Sequence, residues 1–349
     1  MAGTWEKQNK VIPDAYINVV TDVPLNITPG ERGTVLIPQE LSTGTAGNII
    51  TVTATEANWP EGATAADKKL ANLALQGAQT VKIYVLPATH DDEDISEMLE
   101  KLKTEDFDVL CYPYEKSSTA SSAAKQTIAE WIKAMQDEEG LNVTAVLANH
   151  KGDSEYLINN TQKIILSDGS ELTADEVTAW IAGVTAGADI TKSNTARVFE
   201  GAIDVSPRLT KTATETAIKA GEFVFTTDRA QNVSVVADIN SLTTTSETKG
   251  EIMKQNRSVR TAYGIREDIS NVWNSNIKGK YNNNADGRSI FKALLVDYFT
   301  ELERREAIQN FDADQVSVEA GDAINAIVVT CAVQLVGSME IAYVTVYLS

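Results

Sequence analysis

Histidine is nearly missing from this chain: of 349 residues only His90 and His150 carry an imidazole. Most acid–base and nucleophilic catalysis near neutral pH leans on that side chain, so the scarcity already narrows the enzymatic possibilities. Cysteine is equally scarce. Cys111 and Cys331 lie far apart in a long chain, which excludes a disulfide framework and a cysteine metal cluster and leaves two buried free thiols as the plain reading. Long apolar runs are missing too, and the opening MAGTWEKQNK has no signal-peptide core, so no membrane insertion and a cytoplasmic start are expected. Neither G-x-S-x-G nor H-E-x-x-H occurs, and the Gly-rich phosphate cradles G-x-x-x-x-G-K-[ST] and G-x-G-x-x-G are absent. The acidic run Asp91, Asp92, Glu93 and Asp94 lacks the EF-hand spacing and reads as an acidic first helical turn. No catalytic residue, cofactor or metal is therefore expected.

What the chain has in excess is negative charge. A net charge of -19 argues against coating nucleic acid or an anionic membrane. The charge is uneven, however: residues 249–292 hold nine basic side chains against four acidic ones, which leaves -24 on the remainder. Such an island is either a solvated helix face or a surface for an acidic protein partner.

Length and punctuation predict several packed units. Residues 1–25 read as an N-terminal arm whose only strand is Ala15, Tyr16, Ile17, Asn18, Val19 and Val20, following Pro13. Residues 26–88 contain short β-type runs at 34–38 and 48–55 and predict a small β-rich domain. Residues 89–240 form the second unit. From residue 66 onward, helical patterns at 66–78, 94–103 and 122–136 alternate with continuous apolar runs at 81–86, 108–112 and 142–148. This predicts parallel strands covered on both faces. Asp168 and Gly169 mark a hairpin turn, and Thr173 with Glu176 forms a capping box that opens another helix. Residues 241–336 predict two long helices, at 249–275 and 287–308. Ile290, Leu294, Tyr298 and Leu302 give the second a core-facing stripe that leaves out Arg288 and Lys292.

The last segment, 337–349, is a second arm. In it Ile341, Tyr343, Thr345 and Tyr347 alternate with Ala342, Val344, Val346 and Leu348, so a strand here is largely apolar on both faces. Such a strand needs a sheet, and a free terminus makes a second copy of the chain a candidate partner.

Several motifs in the C-terminal third occur in an order that resembles the contractile tail sheath family of phages and phage-tail-like bacteriocins, especially the short sheaths of Gram-positive prophages. They are DINSLTTT (238–245), NRSVRT (256–261), NNADGRSIFKAL (283–294), AIQNF (307–311) and the closing IAYVTVYL (341–348). At the amino end, VIPDAYINV (11–19) is similar to the family's opening segment, with Asp14 and Ala15 in place of its glycine step. The resemblance implies an α/β and α+β multidomain fold. Its parts are a small β-rich domain, a subtilisin-like α/β domain without a protease triad, and a C-terminal α+β sheath domain whose terminal strands are exchanged between subunits.

It further implies a structural subunit rather than an enzyme, polymerised as stacked hexameric rings around an inner tube and contracting to drive that tube through a target envelope. The implied partners are further copies, the inner tube protein, and baseplate and terminator or collar proteins at the ends, with no nucleic acid. Assembly would occur in the bacterial cytoplasm before release as a phage or bacteriocin particle. Lys278, Lys280, Arg288 and Lys292 are the candidates to face an acidic tube, and residues 21–30 and the surroundings of Gly337 the candidate hinges. Two readings of other classes stand beside this one: an α/β hydrolase with His90 or His150 as base, since each follows a parallel strand, and a particle-surface adhesin.

Overall fold

The computed structural model describes residues 33–347 apart from 56, 116–118 and 247–248. The proposed arm strand at 15–20 and Leu348 lie outside these residues.

The chain enters along β1 (Thr34–Glu40), returns in β2 (Ile49–Thr53), and crosses through α1 (Ala65–Ala74) into β3 (Thr80–Leu86). Next come α2 (Asp92–Leu102), β4 (Val109–Cys111), α3 (Thr119–Ala134), a π-helical turn, β5 (Thr144–Ala148) and β6 (Leu157–Asn160). A small antiparallel excursion follows: β7 (Lys163–Leu166), β8 (Glu171–Leu172), α4 (Ala174–Ala186), β9 (Ala202–Ser206) and α5 (Lys211–Lys219). The chain then rejoins the main sheet through β10 (Glu222–Phe223) and forms the β11 (Phe225–Thr227) and β12 (Val233–Val235) pair.

The main sheet runs β10-β6-β5-β4-β1-β3-β2, parallel throughout except for the antiparallel edge β2. Its apolar strands alternate between two cores. Val35 and Ile37 face the layer of α1 and α4, whereas Leu36 joins Ile95, Leu99, Ile128 and Ile132 of α2 and α3. This double covering is why the strands read as continuous apolar runs. It also corrects one expectation. Residues 26–88 are no separate β-rich domain among the described residues, because β1 and β3 sit inside the same sheet as β4, β5 and β6.

A third core belongs to the C-terminal unit: α6 (Asn256–Val272), a π-turn at Trp273–Ile277, α7 (Ala285–Arg304), and short antiparallel pairs. Here β13 (Ile308–Gln309) pairs with β16 (Gln334–Leu335), and β14 (Val316–Ala320) with β15 (Ile327–Cys331). The first predicted helix thus starts at 256, after a 3-10 turn at Glu251–Lys254. The stripe of α7 is confirmed from Phe291 to Leu302, but Ile290 in the second turn is exposed. Between the helices, Tyr298 Oη donates to the buried Asp268 Oδ2 at 2.7 Å.

Candidate assembly surfaces

The motif residues at 238–261 form the seam between the α/β unit and the C-terminal unit. Asp238, buried at 2% exposure, accepts from Asn256 Nδ2 at 2.8 Å, from Arg260 Nη2 at 2.9 Å and from the Asn194 backbone N–H at 2.9 Å. Ser241 donates its backbone N–H to Leu157 O and its hydroxyl to Ser154 O, and Thr261 Oγ1 donates to Ile190 O. A buried carboxylate is tolerable only with such partners, so these residue types are explained by holding two cores in one register. Asp153 ties the same seam from outside. Hydrogen bonds from Thr243 and Thr244 hold its carboxyl well below the usual carboxylate range.

At the carboxyl ends of the parallel strands, the crevice between β1 and β4 is where an open α/β sheet places a ligand. Here it is filled by the protein's own side chains. His90 Nδ1 lies 2.7 Å from Glu40 Oε1 and Nε2 lies 2.8 Å from Tyr112 Oη, while Tyr114 packs its ring on His90 and accepts the Glu40 N–H. Burial pushes both tyrosine hydroxyls up and raises the Cys111 thiol to about 12, so none of them is a ready nucleophile. His150 stands apart on its own loop, its backbone N–H on Asn159 Oδ1; burial, then nearby Lys125, lowers its pKa. Lys125 itself is committed to Asp175 Oδ1 at 2.6 Å and to Ala148 O at 2.8 Å.

The C-terminal unit, by contrast, is open. Among the described residues β15 pairs with β14 alone, leaving its other edge unpaired, with Val328 and Val329 exposed. Along the hairpin runs a groove of about 340 Å³ lined by Ile269, Trp273, Phe291, Ile327 and Val329. Beyond it the tail leaves the molecule. The closing strand expected at 339–348 is not formed within one chain: residues 341–347 are irregular, and Ile341, Tyr343, Val344, Val346 and Tyr347 are 73–94% exposed. The physical reason is that a strand exists only with a partner, and no strand among the described residues pairs with this segment.

The basic island divides. Lys249 pairs with Glu155, Lys254 with Glu251 and Arg260 with Asp238, and Arg257 is buried. Lys278 and Lys280 are exposed, and Lys278 shares a cleft of about 500 Å³ with Tyr281, Ile324 and the half-buried Arg288. Arg288 donates to Asn283 Oδ1 at 2.8 Å, and Lys292 follows one turn later on α7. Asn283 in turn donates to Ile324 O and Ala326 O, pinning the tip of the β14–β15 hairpin beside these cations.

A crevice filled by side chains and, among the described residues, an open strand edge and an exposed apolar tail suit an assembly role. Comparison with known proteins agrees. Three models of one family match successive stretches: the tail sheath protein Gp18 domain III N-terminal region over 32–86, the phage tail sheath protein central domain over 88–241 and the phage tail sheath C-terminal domain over 248–349. The chain belongs to the phage tail sheath family.

The phage-like element PBSX protein XkdK of Bacillus subtilis is 34% identical over 263 residues, which is 73% of this chain and 56% of that protein. The tail sheath protein of Clostridium phage phiCD119 is 30% identical over 238 residues, 68% of this chain and 64% of that one. This chain thus spans less than two thirds of the length of these relatives. Among solved structures, a sheath tail protein from Desulfitobacterium hafniense superposes with a TM-score of 0.81 at 25% identity, covering 94% of this chain and 98% of that one.

Proposed function

We propose that this chain is the sheath subunit of a contractile tail, assembled as stacked hexameric rings around an inner tube and contracting to drive that tube through an envelope. The observation that carries the reading is the exposed apolar tail, which pairs with no strand among the described residues, together with the β15 edge left open among them. Residues 341–348 of one copy add a strand to the C-terminal unit of a neighbour, and residues 15–20 do the same from the amino end. The cations Lys278, Lys280, Arg288 and Lys292 meet an acidic tube, with baseplate and collar proteins closing the two ends. Each apolar side chain removed from water contributes about 1.5–3 kcal/mol and each ladder hydrogen bond about 0.5–1.5 kcal/mol. Ordering the arm costs about 1–2 kcal/mol per residue, so one arm is held weakly and a lattice of them firmly. Tethers of that strength let rigid subunits rotate outward without separating.

The test is electron microscopy of the full chain beside a chain lacking residues 341–349. Hollow striated cylinders are expected from the first, and from the second a folded monomer that melts at nearly the same temperature and forms no tubes. Tubes from the truncated chain, or its unfolding, would show that the tail is not an exchanged strand.

A further inference from the structure

The free run of the tail does not begin at Gly337, where a glycine suggests a hinge. Val336 N–H donates to Ala307 O at 3.1 Å, Ser338 Oγ accepts from Arg257 Nη1 at 2.9 Å, and Glu340 Oε1 accepts from Ser193 Oγ at 3.0 Å and from Thr195 Oγ1 at 2.9 Å. The glycine is therefore bracketed by three attachments, and among the described residues no exposed apolar side chain of the tail beyond Glu340 makes one.

The station that receives Glu340 is built on the seam. The backbone N–H of Thr195 donates to Ser193 Oγ at 3.1 Å, and that of Asp238 donates to Thr195 Oγ1 at 3.0 Å. Ser193 Oγ also lies 3.0 Å from Thr195 Oγ1, so its one proton is shared between that hydroxyl and Glu340 Oε1, while Thr195 Oγ1 donates its own to the same carboxylate oxygen. Asn194 between them is buried, its N–H on Asp238 Oδ2 and its side-chain amide on Val184 O. Arg257 completes the arrangement. It is 6% exposed and its Nη2 donates to Glu306 O at 3.1 Å; burial, then Arg260, lowers its pKa, and the charge of Glu340 opposes that.

We infer that Glu340, Ser338, Arg257, Ser193 and Thr195 form a clip that fixes where the C-terminal arm leaves the subunit, so that the arm pivots at Glu340–Ile341 and presents residues 341–348 in one direction to the neighbouring copy. These are positioning residues; the groups that pair with the neighbour lie beyond them. The inference rests on the strand exchange proposed above for its purpose, though not for its geometry. Charge-assisted hydrogen bonds to a single carboxylate hold the base of the arm firmly and release it without unfolding either core.

Proteolysis of the full chain below its polymerisation concentration separates the two stretches. A glutamate-specific protease cutting after Glu340 should act slowly on the native chain, and chymotrypsin cutting after Tyr343 quickly. In a Ser193→Ala/Thr195→Ala variant the first cut should speed up about tenfold, the factor expected from losing hydrogen bonds to a charged group, while the second stays unchanged. That variant keeps residues 341–349 and should still form tubes, several-fold more slowly; Ser193→Thr should restore the native pattern. Equal cleavage after Glu340 in both proteins would overturn the clip. If the clip fails but deletion of 341–349 still abolishes tubes, strand exchange stands alone. If the deletion leaves tubes intact, the exchange reading falls whatever the clip does.

Discussion

Asp67 shows how much a single residue carries in a chain so rich in carboxylates. It sits at the start of α1 and accepts four hydrogen bonds, from the backbone N–H and hydroxyl of Ser42 and from those of Thr64, at 2.5–2.9 Å. Burial pushes its pKa up, but the four bonds outweigh burial and hold it well below the ordinary value of 3.8. The sign follows from linkage. Below that ordinary value the unfolded chain takes up a proton that the folded one refuses, so the stabilisation is complete above about pH 4 and is lost as the pH falls. Asp67→Asn should lower stability at pH 7 by about 1–3 kcal/mol, because Ser42 and Thr64 lose their charged acceptor. It should also flatten the loss of stability between pH 4 and pH 2. Denaturant titrations of both proteins across that range check this, and a variant as acid-sensitive as the native chain would contradict it.

Elements that announce themselves locally were legible; elements set by close approach were not. The box of Thr173 and Glu176 caps α4 as their spacing requires, and Asp168–Gly169 turns the β7–β8 hairpin. The two-sided strands β3, β4 and β5 were plain from their apolar runs and β1 only as a short β-type run, but their common sheet was not, since pairing order is a tertiary fact. β6, β9 and α5 are short, and their polar residues hid them. The tail was readable as an apolar strand without a home, yet the clip was not, because Ser193 and Glu340 meet only through the seam. Nor did glycine spacing reveal how α4, buried at twelve of its thirteen residues, crosses α1. A Cβ on Gly183 would lie 2.1 Å from Ala74 O, and one on Gly187 1.8 Å from Gly77 O. The obstacle is backbone, which cannot yield as a side chain does, so Gly183→Ala should destabilise by about 3 kcal/mol, the upper end for overpacking. Gly337→Ala meets nothing within 4 Å and should leave the melting temperature unchanged, which makes it the control.

At the scale of the whole molecule the proposed assembly asks how a chain of net charge -19 would pack against copies of itself and against a tube. Self-repulsion between acidic surfaces is screened by salt, so growth of the bare polymer should strengthen with ionic strength. Contact between the Lys278–Lys280 surface and an acidic tube should weaken under the same change. Those two lysines are the informative pair, because among the described residues Lys280 Nζ donates only to the exposed Ser275 O of the preceding turn, whereas Arg288 holds Asn283 and the hairpin tip, and reversing it would disturb the fold as well as the charge. Each exposed ion pair is worth only about 0–1 kcal/mol, but the same contact repeats at every subunit along a tube. Lys278→Glu/Lys280→Glu should therefore leave monomer stability and unsupported tube formation unchanged while abolishing sheath on preformed tubes at physiological salt. Co-sedimentation with the tube across a salt series, with micrographs of the pellets, reads this directly. Full decoration of tubes by the double variant would place the tube-facing surface elsewhere on the C-terminal unit and leave the lysines as solvated charges beside the hairpin.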